Sequence, residues 1–276
     1  PANLLREHEI TVRADAPEVG ENLQDHLQMR TIVELDERGD SLNDHVRNPF
    51  SLAKMGLQWL LQSRGPLTVG AGQVGGAVCT KYAENGRPDI QLFVMPLSVD
   101  KPGKPLHRYS GFTTSFWQCH PESRGSIHIA SSDPFRDPRI HTNYLSVEKD
   151  QMVVVEGIRM VRELYNRPEF RHRWQREIVP GAKNQSDSEV LAAVRQMAGT
   201  VYHLVGTARM GSDARAVVDP ELRVNGVEGL RVVDASVMPK ITSANTNAPT
   251  FMIAEKAAAM IRASAYDKLQ DTAYAY

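Results

Sequence analysis

The sequence predicts a mixed α+β fold, with an antiparallel sheet in the middle of the chain and helices on one side of it. Two observations carry this. Short apolar or β-branched runs over 89–95, 111–119 and 125–130 follow one another, and no helix-length segment separates the last two, which favours antiparallel pairing over parallel crossovers. After Asp150 the apolar residues switch to helical spacing.

Taken in order, residues 3–8 close a helix and Ile10-Thr11-Val12 has the β-branched character of a short strand. Pro17 to Asp25 is rich in turn formers and reads as an ordered loop, because Gly20 and Asn22 tolerate backbone angles that other residues avoid. Leu27 to Leu35 alternates as a strand, with Met29, Thr31 and Val33 on the opposite face from Gln28, Arg30 and Ile32. Phe50, Met55, Trp59 and Leu60 predict a helix between Pro49 and Leu61, opposed by Gly56 at about 1 kcal/mol relative to alanine. The glycine cluster from Gly65 through Val69 and Ala71 to Gly76 reads as close packing or loop. It lacks the Gly-Lys-Ser/Thr ending of a phosphate cradle, and its spacing reads against a dinucleotide fingerprint. Pro134 and Pro138 punctuate a turn-rich stretch before Ile140. Val154, Ile158, Val161 and Tyr165 mark one face of a helix ending before Pro168. Ser186-Asp187-Ser188-Glu189 is a capping box opening a second helix with Val190, Leu191, Val194 and Met197.

Composition narrows the function classes. Of 276 residues, 41% are apolar and 24% charged, and 32 basic against 33 acidic residues leave a net charge of -1. That balance argues against a broadly basic nucleic-acid surface. Cys79 and Cys119 are too few and too distant for a disulfide scaffold or zinc knuckle, so a reducing, cytoplasmic compartment is expected. No apolar run approaches the roughly 18 residues that span a bilayer. The start at Pro1 reads as neither a signal peptide nor an initiator methionine.

Residues 201–256 are the informative part. Leu230 to Val233 reads as a short apolar strand delivering Asp234 at its end, a common position for binding groups. Asn245, Asn247 and Thr250 precede an Ala-rich helical run with Pro249 in its first turn. Such a helix start offers free amides and partial positive charge to an anion or an electron-rich ring oxygen. From the residues alone His203 reads first as a hydrogen-bonded core residue, ahead of general base or metal ligand; no His or Asp stands near it at ligand-like spacing, which disfavours a metal-dependent hydrolase.

His203 followed by Gly206-Thr207 and Met210-Gly211, then Val232-Val233-Asp234-Ala235-Ser236 and Asn245 through Thr250, resembles the C-terminal signature of the glucose-methanol-choline (GMC) oxidoreductase family. Gly20-Glu21-Asn22-Leu23-Gln24-Asp25-His26 resembles a further family hallmark, and Arg124-Gly125-Ser126-Ile127 with Asp133, Pro134 and Pro138 resembles its substrate-domain sheet. The resemblance is in register over nearly the whole chain and is nearest to choline dehydrogenase-like members. It implies the C-terminal part of a GMC-type fold, an antiparallel substrate sheet with helices plus returning elements of a Rossmann-like FAD domain. Residues 1–27 would form an FAD-domain junction, 28–195 mainly the substrate-binding domain, and 196–276 the catalytic motifs and the end of the FAD domain.

The same resemblance implies FAD as cofactor and a primary alcohol as substrate, with hydride passing to flavin N5 and electrons to an acceptor it does not specify. His203 falls at the catalytic histidine position and Asn245 at its partner position. Asp234, Ala235, Asn247, Ala248, Pro249 and Thr250 fall beside the cofactor, while Asp25 and His26 read as structural before catalytic. Phe112, Phe116 and Trp117 are candidates for the alcohol pocket, though sheet aromatics more often serve a core. No cation cage for choline is assignable. The nucleotide-binding opening of the family is absent from this reading, so a preceding segment or companion fragment is expected. The alternative function is a non-catalytic interaction domain on a degenerate GMC-type fold.

Overall fold

A computed structural model describes residues 1–36, 41–68, 70, 72–101 and 103–273; Val69 and Ala71 of the glycine cluster lie outside the described residues. In chain order the strands are β1 (Leu27–Leu35), β2 (Val74–Val78), β3 (Ile90–Met95), β4 (Gly111–Gln118), β5 (Ser126–His128), β6 (Arg139–His141), β7 (Trp174–Val179) and the two-residue β8 (Gly199–Thr200). The helices are α1 (Ala2–Glu7), α2 (Leu42–Arg47), α3 (Pro49–Gln62), α4 (Glu148–Tyr165), α5 (Pro168–Arg171), α6 (Asp187–Met197) and α7 (Asn247–Ala273). The chain divides into two compact units. Unit 1 comprises residues 1–26, 120–147 and 200–276, and unit 2 comprises 27–119 and 148–199. Residues 120–147 therefore pack with the chain ends rather than with the sheet between which they fall in sequence.

Unit 2 is the predicted sheet-and-helix layer. Its strands run β2-β3-β4-β1-β7, with antiparallel pairing throughout. Partners directly opposite share a face. Register therefore puts Met29, Thr31, Val33, Phe112, Thr114, Phe116 and Leu92 on one side, and Gln28, Arg30, Ser115, Trp117 and Phe93 on the other. Helix α4 covers the first side with Val154, Ile158, Val161 and Tyr165, all buried as their spacing predicts. Contact is close at Gly157, where a Cβ would sit 2.3 Å from the Phe116 ring. Polar ties secure the layer: Gln118 donates to Asp150 (3.0 Å), and Arg162 meets Glu177 through two bonds of 2.8 and 2.9 Å. Helix α6 opens on the predicted capping box of Ser186 and Glu189. Helix α3 forms as predicted, but of its apolar residues Phe50, Trp59 and Leu60 are exposed and Met55 is buried.

Two local readings are corrected. Ile10-Thr11-Val12 forms no strand, since three β-branched residues without a partner gain nothing from being extended. Gly70, Gly72 and Gly75 do fall at Gly-x-Gly-x-x-Gly spacing; context disqualifies them instead. Gly75 lies inside β2, paired with Phe93 of β3, and no helix follows.

Unit 1 has little regular structure. Beyond α1, the antiparallel pair β5-β6 and the long α7, it is loops around a core of Val205, Val217, Val218, Val237, Ile241 and Ile253 with neighbours. Leu230 to Val233 is not a strand but an extended segment with one bridge, Arg223 to Arg231. The loop from Gly20 to Asp25 knits the unit together. Gln24 and Val205 exchange backbone bonds of 3.0 and 2.9 Å, and Leu23 pairs with Gly125. The Gln24 side chain donates to Pro239 O and accepts from the Ile241 amide, both at 3.1 Å. Gly206 is required where it stands: its φ is +98°, and a Cβ would lie 2.5 Å from Asn22 O.

Candidate active site

The site assembles inside unit 1 from segments far apart in sequence. The Gln24 clamp leads the chain from Pro239 towards Asn245, and the Gln24–Val205 bridge holds the segment carrying His203. His203 is buried, at 7% exposure. Its Nε2 lies 3.1 Å from the Asn245 amide nitrogen, so the two predicted catalytic residues meet. The Asn245 N–H donates, which makes Nε2 the unprotonated ring nitrogen. The ring proton then sits on Nδ1 and is donated to Nδ1 of His26 at 2.9 Å. The two imidazoles cross edge to face, 85° apart. Burial lowers the His203 pKa from its ordinary value, and the negative charge of Asp25 opposes that shift in part. Neutral imidazole is therefore the dominant form at pH 7, with its Nε2 lone pair directed at the Asn245 amide.

Asp25 is buried beside this pair. One carboxylate oxygen accepts from the His203 backbone N–H at 2.9 Å. The other accepts from the hydroxyls of Thr200 (2.6 Å) and Tyr144. Tyr144 is held as a neutral donor, since burial and then the bond to Asp25 push its pKa up. His26, Tyr144 and Thr200 escaped the sequence reading as active-site residues. The only linear signal was the Asp25-His26 pair, which was read as structural.

The residues read as cofactor-facing cluster at the head of α7 and the short 3-10 turn Ala235–Val237. Asp234 is exposed and caps that turn, accepting from the Ser236 amide at 2.8 Å. Asn247 and Ala248 are exposed at the first turn of α7, and their amides have no hydrogen-bond partner among the described residues. Thr250 differs: its hydroxyl and amide both donate to Thr246 O, at 2.7 and 3.1 Å, so it contributes packing. Pro249 sits in the first turn, where its missing N–H leaves no bond broken. Two unsatisfied amides at the positive end of a long helix suit an electron-rich ring edge such as that of a flavin. The donor set fits the group that the sequence implies.

The pocket aromatics fare differently. Phe112 stacks edge to face on Tyr165 of α4 (5.4 Å), and Phe116 has no exposed surface, so both belong to the packed side of the sheet and are withdrawn as ligand contacts. Trp117 lies on the other side, 5.1 Å from Phe93. Among the described residues no group of three or more His, Cys, Asp or Glu is arranged to hold a metal, and no helix is long and apolar enough to cross a membrane.

Residues 121–254 match the family model for GMC oxidoreductase, a span that contains His203, Asn245 and the head of α7. The chain belongs to the GMC oxidoreductase family. It is 40% identical over 261 residues to an alcohol dehydrogenase (acceptor) of Pseudomonas putida, covering 93% of this chain and 46% of that protein. It is 41% identical over 263 residues to an oxygen-dependent choline dehydrogenase of Cronobacter sakazakii, covering 95% and 46%. Among solved structures, a formate oxidase of Aspergillus oryzae RIB40 studied for FAD modification superposes with a TM-score of 0.87 at 25% identity, over 97% of this chain and 51% of that one. A pyridoxine 4-oxidase superposes with a TM-score of 0.74 at 27% identity, over 94% and 46%. The chain thus spans about half the length of the curated relatives it matches.

Proposed function

We propose that this chain carries the alcohol-activating face of an FAD-dependent oxidoreductase that converts a primary alcohol to an aldehyde. The observation that carries the reading is the pairing of buried His203 with Asn245: a neutral imidazole nitrogen with an amide donor 3.1 Å away. In this reading the alcohol oxygen takes the place between them. Asn245 donates to it, and His203 Nε2 accepts its proton as negative charge develops. His26 takes up the Nδ1–H of the resulting imidazolium as a hydrogen-bond acceptor, so the new charge is not left bare in a buried site. Bound FAD supplies the acceptor for the hydride leaving the carbinol carbon. Asn247 and Ala248 would hold the ring through their amides, with Asp234, Ala235, Pro249 and Thr250 forming the wall around it. The relatives named as alcohol and choline dehydrogenases support this reaction class. A strand, glycine turn and helix for the adenine nucleotide are not found among the described residues. The proposal accordingly includes a nucleotide-binding segment, joined or separate, working with this one.

The test is anaerobic flavin bleaching by primary alcohols in the FAD-loaded protein. His203→Ala should slow it by roughly 10²–10⁴-fold and Asn245→Ala by roughly 10²-fold or more, at unchanged FAD content. The parental rate should rise with pH through a pKa below the ordinary imidazole value and then level, because the base works only when neutral. Near-parental bleaching in both variants would sink the roles given to them.

A further inference from the structure

We propose that Asp25 is the positioning residue of His203, holding the turn that carries the imidazole while Tyr144 and Thr200 hold its carboxylate. This rests on the reading of His203 as the base. The turn from Thr200 to His203 is not self-supporting. Tyr202 has a left-handed backbone (φ 62°), a conformation a bulky non-glycine side chain resists, and the residue is 81% exposed, so packing does not impose it. What holds the turn is a chain of hydrogen bonds ending on one carboxylate. The Tyr202 amide donates to Thr200 Oγ1 (2.8 Å), and Thr200 Oγ1 donates in turn to Asp25 Oδ2. The His203 amide donates to Asp25 Oδ1. Asp25 therefore grips the turn at both ends, and a bond from the Val201 amide to His26 O (3.4 Å) lies between them.

Tyr144 comes from a separate segment and adds a third donor, fixing the carboxylate plane. Asn143 and Leu145 beside it also have positive φ, 53° and 55°, so Tyr144 projects from a constrained corner rather than a regular element. A buried carboxylate with three donors, 5% exposed, is more than packing requires. The titratable groups around the imidazole are His26 at Nδ1, Asp25 beneath its backbone and Tyr144 beyond Asp25. His120 meets the Asn245 segment through Ser243 (3.1 Å). Of these, Asp25 acts on the His203 imidazole as a fixed negative charge, offsetting burial.

The experiment follows the His203 ring by NMR titration and flavin reduction by a primary alcohol in the FAD-loaded protein. Asp25→Asn keeps the shape and removes the charge. It should lower the His203 pKa and slow reduction roughly ten- to a hundredfold, since a small displacement of a reacting group costs that much. Tyr144→Phe keeps the charge and removes one donor. It should slow reduction by about threefold to tenfold without lowering the His203 pKa. A merely structural Asp25 predicts instead a lower melting temperature with parental pKa and parental rate, and that result overturns the proposal. If Asp25→Asn does not fold, a parental reduction rate in Tyr144→Phe overturns it alone. If His203→Ala reduces flavin at the parental rate while Asp25→Asn still shifts the His203 titration, the base role fails and the placement of the ring by Asp25 stands.

Discussion

Units 1 and 2 are built from opposite materials. Unit 2 is built on the sheet path β2-β3-β4-β1-β7, with α4 laid on one face, and its energetics are those of apolar burial. Unit 1 holds its functional residues on loops, with hydrogen bonds joining residues such as His26 and His203 that are 177 positions apart. The lesson lies in tolerance to change. A packed layer spreads its stability over many small contacts, whereas a polar network concentrates it in a few buried groups whose partners cannot be lost cheaply.

That contrast can be broken from either side. The largest expected effect on stability is Phe116→Ala in unit 2. Deleting a ring with no exposed surface should cost about 3–5 kcal/mol, read as the shift in denaturant midpoint. If the contrast holds, flavin reduction per folded molecule should change little. A loss of reduction rate without loss of stability would erase the distinction. Next comes Gln24→Ala in unit 1. It strands Pro239 O and the Ile241 amide, costing about 1–3 kcal/mol. Unlike Phe116→Ala, it should also slow flavin reduction, because the freed segment leads to Asn245. Equal effects on stability and no effect on rate would show that the clamp does not reach the site. The smallest is Ser186→Ala, which removes the α6 cap and should cost about 1 kcal/mol by thermal unfolding with the rate untouched.

Legibility in the sequence follows the same division. The face of α4 was readable from Val154, Ile158, Val161 and Tyr165 because helical burial repeats locally, and the α6 capping box because four adjacent residues define it. The strands β2, β6 and β7 were missed, β2 because its glycines read as loop. Arg139-Ile140-His141 and Trp174 to Val179 are short and carry too many charges to alternate, and their extended form comes from their neighbours. In the candidate site, His203 and Asn245 were legible only through their surrounding motifs. Tyr144 and Thr200 carried no motif and were invisible. Phe112, Phe116 and Trp117 could not be told apart as pocket or core from composition, because register decides which face a strand residue takes.

By itself, then, the sequence determined the local elements: the β1 alternation, the α4 face and the α6 cap. These depend on residues within a few positions of one another. Only the tertiary structure decided that Asp25 grips the His203 turn, that His26 faces the second ring nitrogen, and that residues 120–147 pack with the chain ends. The physical reason is that a hydrogen bond or ring contact leaves no periodic trace in the chain when its partners are more than a hundred residues apart. It exists only after the loops that carry those partners have been folded against a common core.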